Sequence, residues 1–354
     1  MDLTTAMGLR PDVPYPILAA LTDPYYQEGL KDHFDTLPKK YKNRNLSVTT
    51  LARSPRQQQL SVRHSHEVIQ DPVESGYWKM FGHVVHSILE DHPKENDIIE
   101  MRQGIDVDGY WIHGQADRLT WDDENGFYIL QDWKLSSSEA LLYGAKPEYV
   151  SQLNVLKFIF ENDNLPIGRL QNVWLSRNWD KRKAMSSPRY PQSPIVVIDI
   201  PIHDDRSTLQ YIRDRIIAHD SARNLADDDL PDCTDQERWV SDVQYKVIKK
   251  DPKTGEAQKK AKYVAGTMGE AGDAIERLIN EEFTKWSEKN LKLKKPKPMS
   301  EFPRPVFDVQ EKKPEPVKCA WCDIRSFCSQ RQAELELNPQ STEAEEEDED
   351  GIPT

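Results

Sequence analysis

Apolar and polar positions set out a run of elements along the middle of this chain. From Tyr77 to Glu90 the stretch YWKMFGHVVHSILE places Trp78, Phe81, Val85, Ile88 and Leu89 at helical spacing, which predicts a helix with one apolar face. Ile98 to Ile105 and Tyr110 to Trp121 read as strands split by the turn residues Asp106 to Gly109, and Phe127 to Lys134 as a third strand after the polar break Asp122 to Gly126. Together these predict a three-stranded meander. Pro147 opens a second helix at the favoured first position, with Tyr149, Leu153, Leu156 and Phe160 at helical spacing. Strands over Leu170 to Arg177 and Ile195 to Ile202 and a helix over Arg206 to Arg223 follow. The order predicts an α+β fold whose central mixed β-sheet is flanked by helices.

Residues 1–45 hold scattered prolines and one helix-like run, Ala19 to Phe34, and read as an N-terminal extension to a core over 46–226. After an acidic linker, Asp227 to Asp232, the segment 227–335 carries strand-like Val243 to Lys250 and Lys259 to Gly266 and a helix over Glu270 to Lys289. The acidic tail, 336–354, is expected to be disordered.

Composition changes this picture in two places. The formal net charge is −13, but the chain from Glu334 onward holds nine Asp or Glu and no Lys or Arg, leaving 51 acidic against 47 basic residues in the body. The acidity is largely a tail effect, so it does not exclude nucleic acid; local patches decide that. No apolar run approaches the roughly 18 to 20 residues that span a bilayer, and a soluble cytoplasmic chain with no membrane association is expected. Four cysteines in such a chain point to metal or cluster ligation before a disulfide frame.

The chemistry centres on the hairpin. A pairing of Trp121 with Phe127 would bring Asp117 within one residue of Asp132, and Asp132 and Lys134, two apart on one strand, share a face. On spacing alone this is a charged surface; with a cation between them, the carboxylates become hard oxygen ligands suited to Mg²⁺ or Mn²⁺, and the lysine a group that orients water or neutralises a phosphate. His86 and Glu90, four apart on the first helix, stack on one face. Gly114, three residues before Asp117, leaves room for a ligand or another backbone. Arg53, Arg56 and Arg63, set among threonines and glutamines, read as a polar surface or as phosphate contacts. Arg177, Trp179, Lys181 and Arg182 set basic residues beside an aromatic in one loop, which reads either as a solvated loop rich in charge or as a surface for a nucleic-acid backbone and a stacked base. Finally Cys319, Cys322 and Cys328 form a C-x2-C-x5-C cluster, a strong signal for an iron–sulfur cluster or Zn²⁺, with Cys233 the remaining cysteine for a fourth ligand.

Gly82-x-x-x-His86, Gly114-x-x-Asp117, Asp132-Trp133-Lys134, Gln152 and the trailing cysteines together resemble the PD-(D/E)XK nuclease superfamily, and among its branches the RecB-type exonucleases, the phage-encoded ones above all. The resemblance spans roughly Leu46 to Cys328. It implies a restriction-endonuclease-like core with a C-terminal cysteine-clasped extension. It implies His86, Asp117, Asp132 and the backbone carbonyl of Trp133 as ligands of Mg²⁺ or Mn²⁺, Lys134 as the catalytic lysine and Gln152 as the active-site glutamine. It further implies metal-dependent exonucleolytic hydrolysis of DNA in repair, recombination or viral genome processing, in a host cytoplasm if viral. A [4Fe–4S] cluster on Cys233, Cys319, Cys322 and Cys328 is implied, with Zn²⁺ as the alternative, and the acidic tail is a candidate contact for a recombination or replication partner. Rivals are a structure-directed or CRISPR-associated-type endonuclease on the same fold and a catalytically silent DNA-binding module. Two features depart from the family: Leu156 stands where its Gln-x-x-x-Tyr motif has tyrosine, and Cys233 follows the core where the first cluster cysteine usually precedes it.

Overall fold

The computed structural model describes residues 3–10, 19, 21, 22, 41, 44–68, 72–188 and 190–337. Most of the helix expected over Ala19 to Phe34, and the acidic tail from 338, lie outside these residues. The described residues divide into two compact units, one drawn from 1–234 and 323–354, the other from 235–322.

The first unit is α+β. A short helix α1 (Leu3–Leu9) precedes β1 (Asn45–Ser47), α2 (Val48–Ala52) and α3 (Pro55–Arg63), then the long α4 (Pro72–Glu90). The meander follows as β2 (Ile98–Val107), β3 (Tyr110–Asp122) and β4 (Phe127–Ser136), then α5 (Pro147–Asn162), β5 (Ile167–Ser176), the short α6 (Lys181–Ser186), β6 (Ile195–Ile200) and α7 (Asp205–Ala222). The six strands form one mixed sheet in the order β1-β3-β4-β5-β6, with β2 on the other edge of β3; β1 runs parallel to β3 and β4 parallel to β5, and the remaining pairs are antiparallel.

Helix α5 fastens the sheet to the core. Pro147 starts it, and Asn164, in the left-handed conformation at φ 64, ends it just before Pro166. Leu153, Val155, Leu156, Ile159 and Phe160 are all within 1 % of full burial and pack with Ile112, Leu119, Leu130 and Leu170 of the sheet. Each such side chain contributes about 1.5–3 kcal/mol relative to exposure.

Two local expectations change. The segment from Leu46 to His66 is not a polar surface stretch but β1 and two helices, with Leu51 and Leu60 fully buried. In the hairpin, Asp122 pairs with Phe127 and Trp121 with Tyr128, one residue off the expected register. The reason is the turn: the Asp122 carboxylate accepts the amides of Glu124 and Asn125, each at 3.1 Å, and Gly126 takes φ 71.

The second unit holds an antiparallel sheet in the order β8-β7-β9, made of β7 (Gln244–Lys249), β8 (Tyr263–Ala265) and β9 (Phe307–Lys312), with α8 (Met268–Leu291) and the short α9 (Val317–Ala320). Ala271 and Ala274 of α8 pack on Val247 and Ala265. Thr267 caps α8 by accepting the Glu270 amide at 3.1 Å. A final helix α10 (Ser329–Leu337) belongs to the first unit. No helix among the described residues is long and apolar enough to cross a membrane.

Candidate metal centre

The site begins at a slip shared by two strands. Along β3 the core-facing positions run Ile112, Gly114, Ala116 and then Leu119, so the two-residue period lengthens to three at Asp117. Along β2, Ile98 and Met101 both pack on the core, three apart, with Glu100 between them at φ 51. Ile99 pairs with Arg118 and Met101 with Ala116, so Glu100 and Asp117 lie opposite each other where the ladder is interrupted. On the other edge of β3, β1 pairs with Trp111 to His113 and β4 with Arg118 to Asp122. Asp117 sits in the gap between those pairings.

Asp117 uses its two oxygens differently. Oδ2 accepts the Trp133 amide at 2.6 Å, tying β3 to β4 where the ladder has stopped. Oδ1 lies 4.0 Å from His86 Nδ1, which is also 4.0 Å from Glu100 Oε1. One ligand atom each from His86, Glu100 and Asp117 fall within 4.8 Å of one another. Three elements deliver them: α4, β2 and β3. Arg118, beside Asp117, holds α4 in place by donating from Nε to Asp97 at 2.8 Å and from Nη2 to the His92 carbonyl at 3.3 Å in the connection from α4 to β2.

Asp132 is held from both sides. Oδ1 accepts from Lys134 Nζ at 2.8 Å, and Oδ2 accepts from Asn172 Nδ2 at 2.7 Å across the parallel β4–β5 pairing. The Lys134 ammonium also stands 4.9 Å from the centre of the Tyr149 ring on α5. Burial alone would lower the Lys134 pKa, but the charge and hydrogen bond of Asp132 outweigh it and keep the ammonium protonated.

Burial, reinforced by the charge of Asp132, pushes the Asp117 carboxyl up to about 7. The nearby Glu100 carboxylate raises His86, while Glu90, one turn along α4, is raised by burial and by Glu100. The site carries more carboxylates than its one lysine and one histidine offset, which is the electrostatic setting of a cation site.

The structure thus brings His86, Asp117, Asp132, Trp133 and Lys134 to one place, with Trp133 turning its amide toward Asp117. Gln152 is half-buried on α5, one turn beyond Tyr149. The space expected for a ligand at Gly114 is filled by the core: a Cβ there would stand 2.7 Å from Leu156 Cδ2 and from Val48 Cγ2.

The arginines of the first segment have other duties. Arg56 is 3 % exposed and donates to the Pro231 and Leu230 carbonyls and to Ser329 Oγ. Arg63 donates to Asp227 at 2.6 Å and to the carbonyls of Ala222 and Arg223. Internal partners take both guanidiniums in place of the expected phosphates. Arg53 donates to Gln58 at 3.4 Å. In the basic loop, Asp180 caps α6 and leaves Lys181 and Arg182 exposed, whereas the Trp179 indole donates to the Pro191 carbonyl at 2.7 Å and Arg177 lies 4.0 Å over the Trp78 ring.

None of the four cysteines is in a disulfide. Cys233 and the buried Cys328 belong to the first unit, Cys319 and Cys322 to the second. The Cys233 backbone is clamped by Gln330, which accepts its amide at 2.9 Å and donates to its carbonyl at 3.0 Å.

Three neighbours of the site escaped the sequence: Glu100, Asn172 and Tyr149. Asn172 alone left a trace, as a polar residue inside the apolar run LQNVWL. No protein-family model matches the chain, and no curated protein matches it. Among solved structures, the protein described as "Crystal structure of SSO0001" is similar at 20 % identity over 56 % of this chain and 86 % of that one, with a TM-score of 0.39.

Proposed function

We propose that the chain is a divalent-cation-dependent deoxyribonuclease on a restriction-endonuclease-like PD-(D/E)XK core, acting as an exonuclease in repair, recombination or viral genome processing. The observation that carries this reading is the meeting of Asp117 with the Asp132–Lys134 pair on adjacent strands, closed by His86 from α4. Carboxylate and carbonyl oxygens are hard donors suited to Mg²⁺ or Mn²⁺, and the His86 imidazole stands beside them. His86, Asp117, Asp132 and the Trp133 carbonyl would hold the ion. When bound, it supplies Lewis-acid activation of water and neutralises the scissile phosphate.

The chain's own residues do the rest. Asp132, fixed by Asn172, holds the Lys134 ammonium in one place, and that ammonium donates to the attacking water or to a non-bridging phosphate oxygen as charge develops there. The Tyr149 ring keeps one side of the ammonium dry. Exposed Lys181 and Arg182 contact the DNA backbone. The C-x2-C-x5-C run and Cys233 supply soft thiolate donors suited to a [4Fe–4S] cluster or Zn²⁺, and the acidic tail offers a contact for a partner protein.

End-labelled single- and double-stranded DNA, incubated with the protein and Mg²⁺ or Mn²⁺, tests the reading. Cation-dependent release of labelled nucleotides that disappears in Lys134→Ala is expected; retained digestion by that variant would sink the assignment. Cutting of covalently closed circular DNA would replace the exonuclease with an endonuclease.

A further inference from the structure

We propose that Glu100 is a protein ligand, beside His86 and Asp117, of the divalent cation at this site, an inference that rests on the cation-dependent reading above and adds to it a residue from a strand outside the Asp-x-Lys hairpin. Its basis is convergence. His86 Nδ1 is equidistant, at 4.0 Å, from Glu100 Oε1 and Asp117 Oδ1, and one ligand atom from each of the three residues lies within 4.8 Å of the others. An ion with metal–oxygen bonds of about 2.1 Å sets adjacent ligands about 3.0 Å apart and opposite ones about 4.2 Å apart. Side-chain rotations that close the triangle by roughly 1 Å therefore bring all three onto one ion.

The disposition of the other donors points the same way. Both oxygens of Asp132 are engaged, one by Lys134 and one by Asn172, and Oδ2 of Asp117 is engaged by the Trp133 amide. Asp132 keeps a second lone pair on each oxygen for the ion, and His86, Glu100 and Oδ1 of Asp117 converge on a common point. Glu100 reaches that point because the strand slip sets it opposite Asp117.

Two carboxylates facing each other across antiparallel strands repel, and Glu90 brings a third to the same end of the cluster. A divalent ion turns that repulsion into attraction. The competing role for Glu100 is to orient the His86 ring by a hydrogen bond, as outer carboxylates do for ligating histidines. An Nδ1–H turned toward Glu100 would leave Asp117 Oδ1, at the same 4.0 Å from that nitrogen, without its share of the ring, whereas a shared ion engages all three groups.

The test is Mn²⁺ binding to the full-length protein without DNA, followed by the electron paramagnetic resonance of free Mn²⁺. Wild type, Glu100→Gln, Asp117→Asn and Glu124→Gln are compared, the last a control on the exposed hairpin turn. Glu100→Gln should raise the Kd for Mn²⁺ as far as Asp117→Asn does, beyond the about 10–100-fold that loss of an outer partner costs, while Glu124→Gln leaves it unchanged; a rise that stops within about 10–100-fold and short of Asp117→Asn would make Glu100 an outer partner and overturn its role as a ligand. The Mn²⁺-induced rise in Tm should shrink in step; because it is read relative to each variant's own melting point, it remains a measure of binding if Glu100→Gln is less stable. Wild-type affinity and a wild-type Tm shift in Glu100→Gln, with both lost in Asp117→Asn, would overturn the role of Glu100 and leave the cation reading standing. Absence of Mn²⁺ binding by the wild type would overturn both.

Discussion

Asn172 Nδ2 donates to Asp132 Oδ2 at 2.7 Å from a residue with no exposed surface. The amide thereby fixes the plane of a carboxylate whose other oxygen holds Lys134. Asn172→Ala removes that donor and leaves a buried carboxylate oxygen unsatisfied, which costs about 1–3 kcal/mol. The urea midpoint should fall accordingly. If Asn172 positions the Asp132–Lys134 pair, cation-dependent DNA digestion should also fall by about 10–100-fold; a normal rate in a destabilised variant would make Asn172 a packing residue only.

Asp117 is a buried acid whose carboxyl is pushed up to about 7, so the folded apo-protein binds its proton more tightly than the unfolded chain does. Between the ordinary carboxylate range and about 7 the native state gains stability as pH falls; above about 7 the buried charge is a cost. Asp117→Asn, whose amide oxygen still accepts the Trp133 N–H, should raise Tm relative to wild type at pH 8 and lose most of that advantage by pH 5. In the wild type, Mg²⁺ or Mn²⁺ affinity should weaken as pH drops through 7, because proton and cation compete for the same oxygen.

On the proposed reading Arg56 is a structural cation and Lys181 and Arg182 are DNA-contacting ones. Arg56→Met strips a buried guanidinium from the Leu230 and Pro231 carbonyls and Ser329, so it should destabilise the fold by several kcal/mol. Lys181→Ala with Arg182→Ala should leave Tm unchanged. It should weaken DNA binding and flatten its salt dependence by about one unit of slope per lost phosphate contact. A stable Arg56→Met protein with impaired DNA binding would reverse these roles.

Gly114→Ala places a methyl 2.7 Å from Leu156 and from Val48. Overpacking of that kind costs about 1–3 kcal/mol. Thermal or urea unfolding checks it, and the loss in a Gly114→Ala, Leu156→Ala double variant should be smaller than the sum of the two single losses.

Periodicity carried most of the core. The helical stripe after Tyr77, the meander and the helix opened by Pro147 lie where apolar spacing places them, and Asp132 and Lys134 share a face because strand alternation requires it. Glu100 was not legible, because its approach to Asp117 depends on a slip in two strands at one level, and a slip breaks the very alternation from which strands are read. Arg56 misled for a different reason. Among glutamines and threonines a guanidinium looks solvated, and the carbonyls that bury it come from Leu230 and Pro231, far along the chain. The hairpin register moved by one because Asp122 spends its side chain on the turn, a local hydrogen-bond choice that hydrophobic pattern does not record.

The ties of Arg56 also order events in time. Ser329, one of its partners, is 273 residues away, and Gln330 clamps Cys233 from the same late helix. At ribosomal rates of about 5–20 residues per second, roughly 14 to 55 s separate the synthesis of Arg56 from that of Ser329. During that interval the second unit, which lies between the two in the chain, can fold as a self-contained insertion. The first unit reaches its final packing only once α10 has emerged, so a nascent chain carries a complete Asp-x-Lys hairpin well before it carries a finished domain to hold it.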